Sequence, residues 1–160
     1  MKSCSSLLAF IFLSFAWGAS AQDRGYYQSP DLHDDTLIFV SEGDLWRAKI
    51  TGGTAVRLTT HPEPESTPSL SPDGQLIAFM ASYDGPEEVY LMSATGGTPK
   101  RLTHEGGGVS LRGWMDNDRV IFRTTNLSGR LPRILRTVHR DTMEVIDLPF
   151  DNADHITLEA

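Results

Sequence analysis

Short runs of apolar residues alternate with turn-forming residues along most of this chain. Residues 71–74 (SPDG) have the composition of a β-turn and lead directly into the apolar run at residues 76–79. Two further turns then separate the runs EVYLM at residues 88–92 and PKRLT at residues 99–103. The second of these turns contains Gly96-Gly97, and paired glycines supply the positive φ values that a short hairpin loop requires. The pattern predicts consecutive antiparallel strands, a β-meander.

The same order of runs and turns recurs at a fixed spacing. Gly52-Gly53 returns 44 residues later as Gly96-Gly97, and the tripeptide RLT at residues 57–59 returns at residues 101–103. A weaker third copy follows, in which WMDND replaces the SPDG turn and Asp118 takes the place of Gly74. A repeat of about 40 to 45 residues with four short strands is typical of a β-propeller blade.

We therefore predict an all-β fold, a β-propeller of which this chain supplies about three four-stranded blades. The units are expected at residues 35–68, 69–110 and 111–150, with the start of a fourth at 151–160 and an N-terminal lead-in at 22–34. A propeller closes with roughly four to eight blades, and three blades alone would leave open sheet edges. We expect the chain to be the N-terminal fragment of a longer polypeptide with an incomplete propeller.

The first 21 residues have the composition of a secretory signal peptide. Lys2 gives a positive start, residues 7–17 are apolar, and Ala19-Ser20-Ala21 forms an A-x-A cleavage site. The apolar run is about half of the ~20 residues that span a membrane. We expect cleavage after Ala21, a periplasmic or secreted protein and no membrane anchor. Cys4 is the only cysteine and lies in this segment, so the mature chain is expected to form no disulfide.

The charge of the chain argues against a nucleic-acid partner. The formal net charge is -7, from 21 acidic and 14 basic residues. Phosphate binding requires a basic surface, which this composition does not supply.

The repeat resembles that of a known family. SEGDLWR at residues 41–47, followed by TGGT and RLT, is similar to the start of the N-terminal propeller of exported bacterial tricorn-type serine peptidases. GVSLRGWMDNDRVIFRTT at residues 108–125 is similar to a later passage between two blades of that propeller. The resemblance covers residues 26–150, although the SPDG turn with its strand also occurs in propellers of the TolB and prolyl-oligopeptidase types.

The resemblance implies a six-bladed first propeller, a second propeller, a PDZ domain and a C-terminal serine peptidase domain. The propeller would gate or channel peptides to the peptidase active site. Expected partners are peptides or the remaining domains of the parent peptidase, and homo-oligomerisation stays open. The chain would be part of a hydrolase without holding its catalytic residues, and we expect no cofactor and no metal site.

The alternative is a non-catalytic periplasmic binding or scaffold propeller of the TolB type. Proteins similar to TolB place a separate α/β domain before the propeller. Here the first predicted strand closely follows the predicted cleavage site, which favours the peptidase.

Several polar residues invite a chemical role, and we interpret them as structural. Ser41 and Ser71 would be candidate nucleophiles, but Ser71 opens a β-turn and the chain has no G-x-S-x-G motif. His61 and His104 both follow RLT, so the repeat explains them better than a zinc site does. Three aspartates near the N-terminus could suggest calcium binding, namely Asp31, Asp34 and Asp35. They lack the pattern of a calcium-binding loop, and we expect them in a solvated loop.

The aromatic and basic residues of the strands receive similar interpretations. Trp46, Tyr90 and Trp114 are expected to pack between blades, Trp46 and Tyr90 at equivalent positions. The basic residues expected to lie on strand faces are Arg47, Arg57, Lys100 and Arg101. The sequon that begins at Asn126 is expected to stay unglycosylated, and the glycines at 106–108 are expected to form a flexible connection.

Overall fold

A computed structural model describes residues 26–125 and 133–151 of the chain. These residues form twelve β-strands and no helix, so the all-β prediction is confirmed. It follows that this part of the chain contains no helix of the length and hydrophobicity that a membrane crossing needs.

The strands form three four-stranded antiparallel sheets, each a meander in chain order. The first sheet contains β1 (Gln28–His33), β2 (Thr36–Ser41), β3 (Asp44–Lys49) and β4 (Val56–Arg57). The second contains β5 (Glu65–Leu70), β6 (Leu76–Ala81), β7 (Glu88–Ser93) and β8 (Lys100–Arg101). The third contains β9 (Val109–Trp114), β10 (Arg119–Thr124), β11 (Ile134–His139) and β12 (Val145–Asp151). We refer to them as the first, second and third blades.

The first strand of each blade was not predicted from the sequence. β1 lies in the segment expected to be a lead-in, and β5 and β9 precede the turns that open the sequence repeat. The pairing of each of these strands with its neighbour contains a register shift. In β1 and β5 the irregular part contains Ser29 and Thr67, which have positive φ and precede prolines. A bulged, proline-containing strand shows neither the continuous apolar run nor the clean alternation that identifies strands in a sequence.

The hydrophobic core lies between the sheets, in two clusters. One joins the first and second blades and includes Ile77 and Phe79, and the other joins the second and third blades and includes Ala78 and Met80. Successive residues of a strand point to opposite faces of the sheet. β6 therefore supplies both clusters, which explains why its sequence is apolar at every position.

The hairpin turns agree with the repeat in two blades and differ in the third. The predicted left-handed glycines are confirmed at Gly52, Gly96 and Gly74, where φ is 97°, 98° and 67°. The expected equivalence of Asp118 with Gly74 is wrong, because Asp118 is not among the described residues with positive φ. The third-blade turn closes with a bond from Met115 N–H to Arg119 O, one residue shorter than the SPDG turn and without a left-handed position.

Candidate functional site

The first strands of the three blades, β1, β5 and β9, line a shared cavity of about 350 Å³. Its lining residues are Ser29, Pro30, Asp31, Thr67, Pro68, Ser69, Leu111, Arg112 and Gly113. In a propeller the blades surround a central channel. This surface, which we call the axial wall, is the part of such a channel that these three blades can supply.

Two side chains tie the first strands to one another. Asp31 on β1 accepts a hydrogen bond from Leu70 N–H of β5 through Oδ2, with a separation of 2.6 Å. Trp114 on β9 donates from Nε1 to Ser69 O of β5, at 3.0 Å. Both bonds cross between blades, so they hold the axial wall together. The expectation that Asp31 lies in a solvated loop is wrong, because Asp31 belongs to β1 and its carboxylate accepts a backbone hydrogen bond from β5.

A second cavity, of about 540 Å³, lies between the first and second blades. His61, Tyr83 and Tyr90 contribute rings to its lining, and we call it the inter-blade cavity. The ring centroids of His61 and Tyr83 are 4.0 Å apart, and those of Tyr83 and Tyr90 are 4.7 Å apart. The other lining residues are Leu58, Thr59, Thr60, Pro62, Asp84, Gly97, Thr98, Pro99 and Arg101.

A buried carboxyl group holds one wall of the inter-blade cavity. Glu65 is 2% exposed and accepts hydrogen bonds from the hydroxyls of Thr59, at 2.8 Å, and Tyr83. Burial raises the pKa of Glu65, an effect that these hydrogen bonds reduce, and the nearby Asp44 carboxylate raises it further. Burial and the bond to Glu65 also raise the pKa of the Tyr83 hydroxyl. Asp44 itself pairs with Arg57, and its Oδ1 has no hydrogen-bond partner.

The second blade contains a related carboxylate with different partners. Glu88 is fully buried and accepts bonds from Thr103 Oγ1 at 2.5 Å, Gly106 N–H at 2.8 Å and Arg101 Nη2 at 3.0 Å. Burial raises the pKa of Glu88, but these hydrogen bonds outweigh it and hold the pKa below its ordinary value. The glycines at 106–108, expected to form a flexible connection, thus include a hydrogen-bond donor to Glu88, the Gly106 N–H.

The basic residues are more than strand-face charges. Arg57 and Arg101 pair with the buried carboxylates described above. Arg47 Nη1 donates to Ala94 O at 3.0 Å, across the first and second blades. Lys100 Nζ donates to Arg140 O at 2.8 Å, across the second and third blades. All four residues lie on strands, and the structure adds a specific hydrogen-bond or ion-pair partner for each.

The predicted structural residues are placed as follows. Ser71 accepts a hydrogen bond from Leu76 N–H at 3.0 Å and donates to Asp73 at 2.6 Å, as expected of a turn serine. The predicted equivalence of Trp46 and Tyr90 is confirmed, since each is paired across strands with a phenylalanine of the preceding strand.

The remaining candidates are polar residues of loops and strand ends. Ser41 ends β2, and His104 is an exposed residue of the loop after β8. Asp34 and Asp35 form the exposed turn between β1 and β2. Among the described residues, no group of three or more histidines, cysteines or acidic residues is arranged to hold a metal. The Asn126 sequon lies outside the described residues.

Sequence reasoning missed the buried carboxyl groups, although a signal for them exists. Asp44 and Glu88 are 44 residues apart, as are Arg57 and Arg101. An acid and a base that recur together at the repeat spacing indicate a pair that the first two blades share.

Comparison with known proteins identifies relatives of this fold. A family model described as the tricorn protease N-terminal beta propeller domain matches residues 24–160. Tricorn protease homolog 1 of Streptomyces coelicolor is 37% identical over 109 residues, 68% of this chain and 10% of the relative. The tricorn protease homolog of Saccharolobus solfataricus is 27% identical over 104 residues, 63% of this chain and 10% of the relative. The chain therefore spans about a tenth of the length of these curated relatives.

Solved structures show the same architecture. The crystal structure of the tricorn protease matches 84% of this chain and 14% of that chain, with a TM-score of 0.72 and 22% identity. TolB from Acinetobacter baumannii matches 79% of this chain and 33% of that chain, with a TM-score of 0.66 and 24% identity. These likenesses establish the β-propeller fold, and the resemblance predicted from the sequence is confirmed by the family model. The chain belongs to the tricorn protease N-terminal β-propeller family.

Proposed function

We propose that these blades form part of the wall of an exported propeller that admits peptides to a serine peptidase domain of the same protein. The observation that carries the proposal is the convergence of β1, β5 and β9 on one cavity in a chain of this family. The axial wall offers short polar side chains, such as Ser29 and Ser69, and both signs of charge in Asp31 and Arg112. Such a surface can contact many peptides without selecting a single sequence.

The proposed role is control of access, with hydrolysis carried out elsewhere in the protein. The partners would be peptides and the remaining domains of the parent peptidase. We also infer export, because residues 1–21 have the order of segments of a secretory signal peptide, with cleavage after Ala21. The mature protein would then act in the periplasm or outside the cell.

Selective blockage of the axial wall tests the proposal. In the complete protein, with its other accessible cysteines replaced, Ser69→Cys would be modified with a bulky maleimide, because Ser69 lines the axial cavity. The matched control is Thr95→Cys, an exposed position just after β7 on the far side of the same blade. Modification at position 69 should slow the hydrolysis of long peptides more than that of short ones, and modification at position 95 should leave both rates unchanged.

Equal rates for both modified variants would contradict a channel through the axial wall. If the complete protein hydrolyses no peptide and does not react with a serine-directed phosphonate, the alternative is favoured. That alternative is a non-catalytic binding propeller of the TolB type, whose fold these blades share.

A further inference from the structure

We propose that Glu65 is a protonation-dependent latch between the first two blades. Its carboxyl group joins Thr59 to Tyr83, and the buried negative charge that ionisation creates near Asp44 weakens this wall of the inter-blade cavity. The proposal rests on the position of Glu65 between the blades, on its surroundings and on a comparison with the second copy of the same site.

The contacts of Glu65 cross the boundary between two blades. Glu65 begins β5 of the second blade, and its backbone N–H donates to Gly43 O of the first blade at 2.7 Å. Its side chain bonds Thr59, which follows β4 of the first blade and itself accepts a bond from Leu45 N–H at 2.8 Å. The other carboxyl oxygen bonds Tyr83 of the second blade. A single carboxyl group therefore connects both blades to the ring that lines the cavity.

The charged and titratable groups around Glu65 do not supply it with a cation of its own. On β3 the buried Asp44 adds a second negative charge, and Arg57 on β4 is paired with Asp44. The loop after β4 contributes His61, whose charge would favour ionised Glu65. The loop after β6 contributes the uncharged Tyr83, with Asp84 beside it in sequence, and Tyr90 lies on β7.

This arrangement makes ionisation of Glu65 costly. Glu65 is 2% exposed, so its charged form loses hydration without gaining a salt bridge. As a neutral acid, its O–H can donate to Thr59 Oγ1 or to the Tyr83 oxygen, and it remains an acceptor for the other hydroxyl. Ionised Glu65 can accept from both hydroxyls, so these two hydrogen bonds persist in either form. Ionisation instead places a buried negative charge near the Asp44 carboxylate without a paired cation, and this charge weakens the contact between the blades.

The second blade shows what the same site looks like without the latch. At the repeat spacing of 44, Glu88 replaces Asp44, Thr103 replaces Thr59 and Val109 replaces Glu65. Glu88 is one methylene longer than Asp44, and it bonds Thr103 itself while pairing with Arg101. The shorter Asp44 has no bond to Thr59, and the carboxyl group for that hydroxyl comes from the next blade instead.

The sign of the pH effect follows from this geometry. A carboxyl group whose pKa is raised by folding stabilises the folded state most fully below its ordinary range. That contribution is lost as pH rises through the raised pKa, so the inter-blade contact should weaken from mildly acidic toward higher pH. The pKa of Glu65 is raised, which agrees with this direction.

Three variants of the full chain test the latch. Glu65→Gln keeps the shape but cannot ionise, and Glu63→Gln changes an exposed acid two residues away as a control. The double variant Asp44→Glu/Glu65→Val rebuilds the arrangement of the second blade. Titration of the glutamate carboxyl carbons by NMR would report the midpoint of each group, and thermal unfolding would be followed across the same pH range.

We expect Glu65 to titrate above the ordinary range of a glutamate carboxyl group. The unfolding temperature of the wild-type chain and of Glu63→Gln should fall as pH rises through the Glu65 midpoint. This fall should be absent in Glu65→Gln and in the double variant. Titration of Glu65 within or below the ordinary range of a glutamate carboxyl group would overturn the proposal, as would the same fall in all four proteins. If Glu65→Gln does not fold, the NMR midpoint and the double variant still decide between these outcomes.

Discussion

Replacement of Gly74 by alanine should destabilise the protein by a sum of two separable effects. Gly74 has a φ of 67°, in the left-handed region, where an L-residue with a side chain costs roughly 1–2 kcal/mol. A Cβ at this position would also overlap Cδ2 of the His33 ring and lie 3.0 Å from its Nε2. His33 belongs to β1 of the first blade, so the overlap is a contact between blades.

The magnitude of the second effect depends on whether the ring can move. The His33 side chain is 33% exposed, so it can rotate toward solvent instead of forcing the backbone apart. Displacing a side chain from its preferred rotamer costs about 0.5–1.5 kcal/mol. Together with the backbone strain, this gives a loss of roughly 1.5–3.5 kcal/mol for Gly74→Ala.

Urea unfolding of four proteins separates the two effects: wild type, Gly74→Ala, His33→Ala and the double variant. Removing the ring should recover about 1 kcal/mol of the loss, seen as a coupling energy in the double-mutant cycle. The backbone strain of roughly 1–2 kcal/mol should remain. A coupling energy near zero would refute the contact between the Gly74 turn and the first blade. An unchanged stability of Gly74→Ala would refute the left-handed turn as well.

Three further predictions concern the third-blade turn, the buried carboxylate and the leader. Asp118→Gly should lower stability by about 0.5–1 kcal/mol in urea unfolding. Asp118 has no left-handed strain for glycine to relieve, and the variant loses the ion pair with Arg140. A variant more stable than wild type would contradict this prediction. Thr103→Val leaves a backbone N–H and one oxygen of Glu88 without a partner and should cost roughly 2–3 kcal/mol. Because the pKa of Glu88 is lowered by folding, its contribution is lost as pH falls through that pKa, and in Thr103→Val the loss should occur at a higher pH. N-terminal sequencing of exported protein should begin at Gln22, and an intact Met1 in that material would disprove the cleavage site.

The strands that the sequence predicted are those whose surroundings make them apolar. β6 is covered on both faces by the two core clusters, and its six residues LIAFMA form a continuous hydrophobic run. The first strands differ, since β1 reads QSPDLH and β5 reads ESTPSL. These strands line the axial cavity with polar residues and contain bulges, and neither property produces a hydrophobic period. The strands that the sequence does not predict are therefore the ones that face the proposed channel.

The site residues were harder to predict because their partners come from different elements. Glu65 is six residues from Thr59 and eighteen from Tyr83, and neither spacing has meaning within a strand or a turn. A charged residue on a short strand is most often exposed, so the sequence predicts that Arg57 and Arg101 lie on strand faces. Their buried partners, Asp44 and Glu88, come close to them through the pairing of β3 with β4 and of β7 with β8, which the sequence alone does not show.

The comparison of the two carboxylate sites indicates that a buried carboxyl group is required at each of these two interfaces between blades, and that either of the adjoining blades can provide it. Each interface provides one buried carboxyl oxygen to the threonine of the RLT tripeptide. In one interface that oxygen comes from Glu88 of the same blade, and in the other it comes from Glu65 of the next blade. Both arrangements keep the hydrogen bond to the threonine hydroxyl. The Glu65 bond joins two blades, whereas the Glu88 bond lies within one blade. Substitutions at positions 44 and 65 should therefore be strongly coupled. Glu65→Val alone would leave the buried Thr59 hydroxyl without its acceptor, and Asp44→Glu alone would bring a second carboxyl group to that hydroxyl.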